Sequence, residues 1–306
     1  MSGGKQVLSA EALEKAKREL NEDPATRQVH LDKLREMFNS RPDIKFRSDD
    51  AFLLRYLRCK KFNAERAFKT LVHYYEVRKE FKDIYSDFVP SSVEETMKKG
   101  IHYMSTGRDN DGRRVFIMKP GWMEPGTTNV VLMIRALVLL MEKILEEEET
   151  QINGIVVIVD LSNLTLSHVT TLGPSNARRI ADVMQNALPL RLKAVHYVNQ
   201  PKIFDTAFAL FKPFFTEKLK KRLQFHGDEF DKLHQHVPSH LLPSEYGGTV
   251  PEFDNKHWRE AMLASEQDYI ENNKYGFPKS SDSLGGSSEG QDPNTGLKGS
   301  FKKLEI

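Results

Sequence analysis

The segment Gly154-Ile-Val-Val-Ile-Val-Asp-Leu constrains this chain more than any other. It is an unbroken run of mostly β-branched residues without the polar alternation of a half-exposed strand. A strand of this kind must be covered on both faces, as in a mostly parallel sheet flanked by helices. Neighbouring segments agree. Arg113-Arg-Val-Phe-Ile-Met-Lys reads as a strand entered through an Asp111-Gly112 turn, Ala194-Val-His-Tyr-Val-Asn as a third strand, and Arg222-Leu-Gln-Phe-His as a short fourth. Helical patterns over 129–149, 174–186 and 203–215 lie between or beside them. Strands alternating with helices predict an α/β domain with right-handed crossovers over residues 91–250.

The stretch before that domain is helical by period. Leu31, Leu34, Met37 and Phe38, then Phe52, Leu53, Tyr56 and Leu57, recur at three- and four-residue spacing, while Ser9 and Asn63 stand where helix N-caps belong. About four short helices in a subdomain over 8–90 are expected. A last helix is expected at about 256–273, within a segment 251–275, and the Gly/Ser-rich tail 276–306 reads as disordered.

Charge and cysteine content remove several function classes. Forty-five Lys and Arg against 43 Asp and Glu leave a net charge of +2, so nucleic-acid binding over the whole surface is not expected and attraction to an anion must be local. Cys59 is the only cysteine, which excludes an internal disulfide and a cysteine-built zinc cage and suits a reducing compartment. The opening residues show neither a leader pattern nor a glycine at position 2 for myristoylation, and no apolar window reaches the roughly 18 residues of a membrane span. A cytoplasmic location is expected.

A search for catalysis is negative. The chain lacks Gly-x-Ser-x-Gly, Gly-x-x-x-x-Gly-Lys-Ser/Thr, Gly-x-Gly-x-x-Gly and His-Glu-x-x-His. His226, His234, His236 and His240 cluster without a carboxylate or thiolate at ligand spacing, and read as surface or hydrogen-bonded histidines rather than metal ligands. Asp109-Asn-Asp-Gly reads as a turn, since Gly112 arrives too early for a calcium loop. Cys59, without a clear base, is a weak nucleophile. No enzyme activity, cofactor or metal is expected.

Two features remain. Phe204, Phe208 and Phe211 share one helical face in Ile203–Phe215, a stripe that by itself suits a helix packed on the sheet. Lys218, Lys220, Lys221 and Arg222 follow at once, and a greasy helix beside cations also suits docking on an anionic bilayer. Further basic groups, Arg55, Arg58, Lys60 and Lys61, then Arg191 and Lys193, read singly as solvated faces. If the fold gathered Lys60, Arg191, Lys193, Lys218 and Arg222, they would grip a polyphosphate head group by charge-assisted hydrogen bonds. Periodicity does not establish that convergence.

Five co-linear segments carry a resemblance: Asp49-Asp-Ala-Phe-Leu-Leu-Arg-Tyr-Leu-Arg-Cys-Lys-Lys-Phe, Glu149-Thr-Gln-Ile-Asn-Gly-Ile, Lys193-Ala-Val-His-Tyr-Val-Asn-Gln-Pro, Lys212-Pro-Phe-Phe-Thr-Glu-Lys-Leu and Leu242-Pro-Ser-Glu-Tyr-Gly-Gly. From about residue 8 to 273 the chain resembles the CRAL-TRIO lipid-transfer family, within it the tocopherol-transfer and clavesin branch. The resemblance implies a helical subdomain followed by an α/β domain that encloses one hydrophobic ligand, tocopherol- or retinoid-like, under a helical gate at about 199–223.

It also implies a basic cleft for phosphatidylinositol bisphosphate at Lys60, Arg191, Lys193, Lys218 and Arg222, with arginine and lysine exchanged at the first two. The pocket it implies draws on Ile134, Leu137 and Met141 of the long helix, and on Ile155, Val159 and Leu164. It continues through Ile180, Val183, Met184, Leu188 and Val195 to Phe204, Phe208 and Phe211 of the gate. Leu137 and Met141 stand where the tocopherol carrier has small hydroxyl residues, so the wall is more apolar. A monomeric carrier is expected that is cytoplasmic and peripherally associated with endosomal or other internal membranes, exchanging its ligand where phosphoinositides lie. The alternative is a phosphoinositide-reading trafficking adaptor whose lipid is structural.

Overall fold

The computed structural model describes residues 8–251 and 254–278. The Ser9 hydroxyl accepts the Ala12 amide at 3.1 Å and opens helix α1 (Ala10–Leu20). After α2 (Arg27–Glu36), the Asp49 carboxylate caps α3 (Asp50–Cys59), and the Asn63 side chain caps α4 (Ala64–Glu80). Leu31, Leu34, Phe52, Leu53, Leu57 and Leu71 from these helices meet in one buried core. Two short helices, α5 (Lys82–Tyr85) and α6 (Glu94–Lys98), then lead to the sheet.

Arg58 is not on a solvated face as its neighbours in sequence suggest. Its guanidinium is fully buried and donates to both Glu22 carboxylate oxygens at 2.8 Å, to Gln151 Oε1 at 2.6 Å and to Glu148 Oε2 at 2.8 Å. A buried arginine persists only when its donors are matched in this way. The cluster fastens the end of α1 and α3 to the second domain.

That domain carries strands β1 (His102–Arg108), β2 (Arg114–Met118), β3 (Ile155–Asp160), β4 (Leu192–Val198) and β5 (Leu223–Phe225), laid side by side in sequence order. Strands β2 to β5 run parallel, and β1 pairs antiparallel to β2 through the turn containing Gly112. Helices α7 (Val130–Ile144), α8 (Glu148–Asn153), α9 (Leu166–Asp182), α10 (Phe204–Phe211) and α11 (Glu217–Lys220) occupy the connections. Short α12 (Phe230–His234), then α13 (Lys256–Leu263) and α14 (Glu266–Asn272), complete the described chain.

Several boundaries differ from the periodic reading. The helix expected over 129–149 stops at Ile144, because Gln151 donates back to the Leu145 carbonyl at 2.9 Å while Glu147 is held by Arg108 and Arg114. Helix α9 starts eight residues before Pro174, from Thr165, whose hydroxyl and amide share His168 Nδ1 as a capping box, and kinks at Gly173. A π turn at Val183–Ala187 ends it. The last helix breaks at Ala264 and Ser265. Gly276 pairs with Lys45, and Lys79 lies 4.2 Å over the Phe277 ring, so the first residues of the expected tail are anchored; the rest of it, 279–306, lies outside the described residues.

The β-branched run is covered on both faces. Val156 and Ile158 of β3 pack with Val115, Ile117 and Val198 against Leu233, Val237, Leu241, Leu242 and Tyr246. On the other face lie Val157 and Val159, beneath α7, α9 and α10. The Tyr246 hydroxyl donates to Asp160 Oδ2 at 2.8 Å, which ties the C-terminal segment to the end of β3. At the opposite end Gly154 sits at φ 87°, and a Cβ there would lie 2.2 Å from the Arg191 carbonyl oxygen. Only glycine admits β4 this close.

Candidate functional site

Side chains on the second face do not close the space they surround. A cavity of about 220 Å3 lies between the sheet, α7, α9 and α10. On the same measure a single water needs only about 10–15 Å3, so this void is no packing defect. Its floor is one cross-strand row: His102 faces Met118, Met118 faces Val159, and Val159 faces Tyr197. Its roof is α10, from which Phe204, Phe208 and Phe211 reach into the cavity.

The helix α10 is an unusual roof, because no residue of it is buried. Phe208 meets the rings of Tyr197, Phe204, Phe215 and Phe225 at 5.4–6.2 Å between centroids, and Phe225, 47% exposed, stacks on Tyr197. Helix α10 is pinned at its ends instead. Asn199 turns the chain at φ 53°, and the Gln185 side chain donates to the Phe214 carbonyl and accepts the Thr216 amide, both at 3.0 Å. A segment held at both ends and lightly packed between them is the sort that opens locally at low cost.

Of the residues expected in the pocket, Ile134, Leu137, Val159, Leu164, Ile180, Met184, Val195, Phe204, Phe208 and Phe211 lie on the cavity wall. Met141, Ile155, Val183 and Leu188 do not, and pack in the main core instead. Met141 is two helical turns beyond Ile134, past the end of the void. Ile155 shares the face of Val159 but begins β3, about 13 Å away along the strand. The π turn directs Val183 inward to the core and Met184 to the cavity, and Leu188 follows that turn in extended backbone. Met118, Met133, Leu172, Tyr197, Phe215 and Leu219 line the wall without having been anticipated. The alternation in β4 that exposes Val195 to one face carries Tyr197 with it, a signal available in the sequence.

Polar groups on this wall are few. His168 is satisfied by the Met123 carbonyl and by Thr165, and Gln185 by the gate contacts above. The His102 ring and the Tyr197 hydroxyl make no hydrogen bond to a described residue; the His102 ring stacks on Phe116 at 5.9 Å, while its carbonyl accepts from the Asn255 side chain.

In the segment that follows α10 and beside the start of β4 the five expected cations converge. Lys60 follows α3, Arg191 and Lys193 begin β4, Lys218 lies on α11, and Arg222 precedes β5. Burial holds the Lys218 amine below its usual range, and the charges of Arg222, Lys60 and Arg191 add to that effect. Burial likewise lowers Lys193, with Arg191 adding to it, and Arg222, again with Arg191. Positive charge therefore exceeds its counter-charge here. Among the described residues the carboxylate paired with them is Glu19 of α1, 3.2 Å from Arg191 and 3.5 Å from Lys193, a residue with no signal in the sequence. Arg191 Nη1 is buried without a hydrogen-bond partner, and the Arg222 guanidinium donates to the Leu192 carbonyl. Cys59 sits among these cations, yet burial pushes its thiol up and its sulfur faces the Leu190 carbonyl at 3.6 Å. It is a packed side chain, not an activated nucleophile.

The histidines belong to the opposite face of the sheet. His196 Nδ1 lies 2.9 Å from His226 Nε2, the His236 ring is 5.3 Å from His196, and His234 contacts the Tyr246 carbonyl at 2.8 Å. Among the described residues no group of three or more ligand-type side chains is placed to hold a metal ion. Burial lowers His196 to about 3, with His226 and His236 adding to it, and burial alone lowers His102 to about 4. A histidine depressed below its unfolded value of about 6.5 contributes stability that is complete above that pH and is lost as pH falls toward the folded value. At pH 5 each should cost roughly 2 kcal/mol relative to pH 7. Urea unfolding at the two pH values should show this loss, reduced by about half in His196→Leu; equal stability at both would contradict the burial of these rings.

No helix among the described residues is long and apolar enough to cross a membrane. Residues 98–248 match the CRAL/TRIO domain, and residues 23–95 match a Pinta-like UBA domain. The mouse alpha-tocopherol transfer protein-like is 37% identical over 264 residues, which cover 86% of this chain and 77% of that one. Human clavesin-2 is 36% identical over 264 residues, covering 85% and 81%. The crystal structure of Sfh5 superposes with a TM-score of 0.53 at 16% identity over 82% of this chain and 99% of that one, a likeness of fold. With this length of shared sequence around a hollow, helix-roofed sheet, the chain belongs to the CRAL/TRIO family.

Proposed function

We propose that the protein carries one lipophilic molecule in the cavity under α10 and exchanges it at membranes that display phosphoinositides. The observation that carries this reading is a large apolar void whose roof contributes no residue to the core. Apolar surface gains about 25 cal/mol per Å2 on leaving water, which favours capture. A bilayer offers the same surface an equally dry environment, so opening α10 on a membrane turns release into a partition rather than a reaction.

The names of the relatives support a lipid cargo, one being called a tocopherol transfer protein-like. The cations beside the gate supply the docking: Lys60, Lys218 and Arg222 with Arg191 and Lys193 suit the clustered phosphates of an inositol bisphosphate, and a head group held there sets α10 against the membrane surface. Location follows from this chemistry, as a peripheral association with internal membranes. Fluorescent-lipid transfer between donor and acceptor vesicles tests the reading. The rate should rise with added protein and rise again when acceptors contain phosphatidylinositol bisphosphate; transfer no faster than the spontaneous rate would overturn it.

A further inference from the structure

A second hollow, of about 470 Å3, opens where the start of α3, the end of α7 and α14 meet, and it shares no lining residue with the apolar cavity. Its wall is polar. Glu142, Tyr269 and Asn272 are buried there, and Arg47 and Arg55 are half-buried. Most of these groups are matched. Glu142 accepts the Tyr74 hydroxyl at 3.1 Å and lies 3.5 Å from the Arg78 guanidinium, and the Tyr269 hydroxyl donates to the Leu139 carbonyl at 2.7 Å. Arg47 donates to Asp49 at 2.6 Å and to Asn272 at 3.3 Å. Arg55 differs from all of them. Its guanidinium lies 5.6 Å over the Phe52 ring, yet none of its donors is taken by a described residue, and its Nε is shut off from solvent as well.

We propose that this cleft binds a small zwitterion of the amino-acid kind, with its anionic group on Arg55 and its ammonium among Glu146, Asp268 and Glu271. A partly desolvated guanidinium without an acceptor is costly, and a carboxylate that takes two parallel N–H donors matches its fork. The rest of the wall limits what can carry that carboxylate. Asp49, Glu142, Glu146, Asp268 and Glu271 face the cleft against Arg47 and Arg55, so a simple anion is repelled on balance. A simple cation leaves Arg55 unmatched and is repelled by it. A molecule bearing both charges satisfies both sides. The acidic side has room for an ammonium, because the Asp268 side chain has no ion-pair or hydrogen-bond partner among the described residues. Glu146 and Glu271 pair only with lysines three residues away, Lys143 and Lys274, each at 2.6 Å. Such surface pairs are weak and exchange partners readily.

Nuclear magnetic resonance titration of the full chain with 6-aminohexanoate, hexanoate and hexylamine, which differ in the charges at their ends, tests the assignment. At neutral pH the zwitterion should bind about tenfold more tightly than either singly charged probe. Arg55→Gln should weaken its binding about tenfold and Arg55→Lys less, since lysine keeps the charge and loses the fork. Asp268→Asn combined with Glu271→Gln should weaken it about threefold. Both of these residues are exposed, so that pair tests the assignment even where a change at Arg55 disturbs folding. Binding of the apolar fluorophore diphenylhexatriene should stay the same in every variant, which separates this cleft from the carrier cavity. Equal affinity for the three probes, no shifts with 6-aminohexanoate at about 10 mM, or an affinity unchanged in Arg55→Gln or in the double variant overturns the assignment.

Discussion

Reversing Lys60 and Lys218 together to glutamate is expected to weaken binding to vesicles containing phosphatidylinositol bisphosphate roughly a thousandfold. Each cation near an anionic surface is worth on the order of 1 kcal/mol, and two reversals change the local charge by four. That sums to about 4 kcal/mol, or close to three decades in affinity. These two lysines are the informative pair, because neither has an ion-pair partner among the described residues. Arg222 also supports the Leu192 carbonyl and Arg191 also holds Glu19, so their loss would disturb β4 as well as the surface charge. Binding to vesicles of neutral lipid should not change. Glu19→Gln should act in the opposite sense and tighten binding, since it removes the carboxylate that, among the described residues, pairs with Arg191 and Lys193. Flotation at fixed salt measures all three. A double reversal that shifts affinity less than about threefold would remove the basic cluster from the account.

The second large effect concerns the roof. Phe208→Asp should lower affinity for an apolar probe such as diphenylhexatriene about a hundredfold while leaving the thermal midpoint nearly unchanged. Phe208 is the hub of the aromatic contacts under α10, touching Tyr197, Phe204, Phe215 and Phe225. Losing an aromatic side chain from the binding surface costs about 2–3 kcal/mol, and a carboxylate facing the void adds to that. The fold should tolerate the change because α10 contributes no buried residue. Unaltered probe binding would show that the stripe is ordinary packing after all, and a collapse of the midpoint would show that the roof belongs to the core.

How far the chain announces this arrangement depends on the distance over which each signal acts. The β-branched run at 154–161 dictated a strand covered on both faces, and both faces are covered. Caps at Ser9 and Asn63 were equally legible, since an N-cap is an interaction across three residues. Strand β1 was not, because His-Tyr-Met-Ser-Thr-Gly-Arg has little β-branched content and becomes a strand only by pairing with β2. The break at Leu145 is likewise tertiary. Glu147 leaves the helical path, at φ −73° and ψ 113°, because Arg114 and Arg108 take its side chain.

For the site, composition told that the Phe204, Phe208 and Phe211 face was greasy but not that it stops short of filling the space beneath it. The convergence of Lys60, Arg191, Lys193, Lys218 and Arg222 required α3, β4 and α11 to meet, which no local pattern encodes. Arg58 illustrates the reverse error: in sequence it is one more cation of a basic helix, and in space its donors are consumed by Glu22, Gln151 and Glu148. The His102 ring and the Tyr197 hydroxyl could not be singled out in the chain, because facing the cavity without a hydrogen-bond partner among the described residues is a property of the fold.

Native mass spectrometry of the intact chain after equilibration with a cellular lipid extract addresses the central claim most directly, because it counts guests without presupposing their identity. The account predicts a single bound lipid per chain, released by organic solvent and much depleted in Phe208→Asp. A chain that emerges at its bare mass after the same treatment, with the fold intact by circular dichroism, would contradict it.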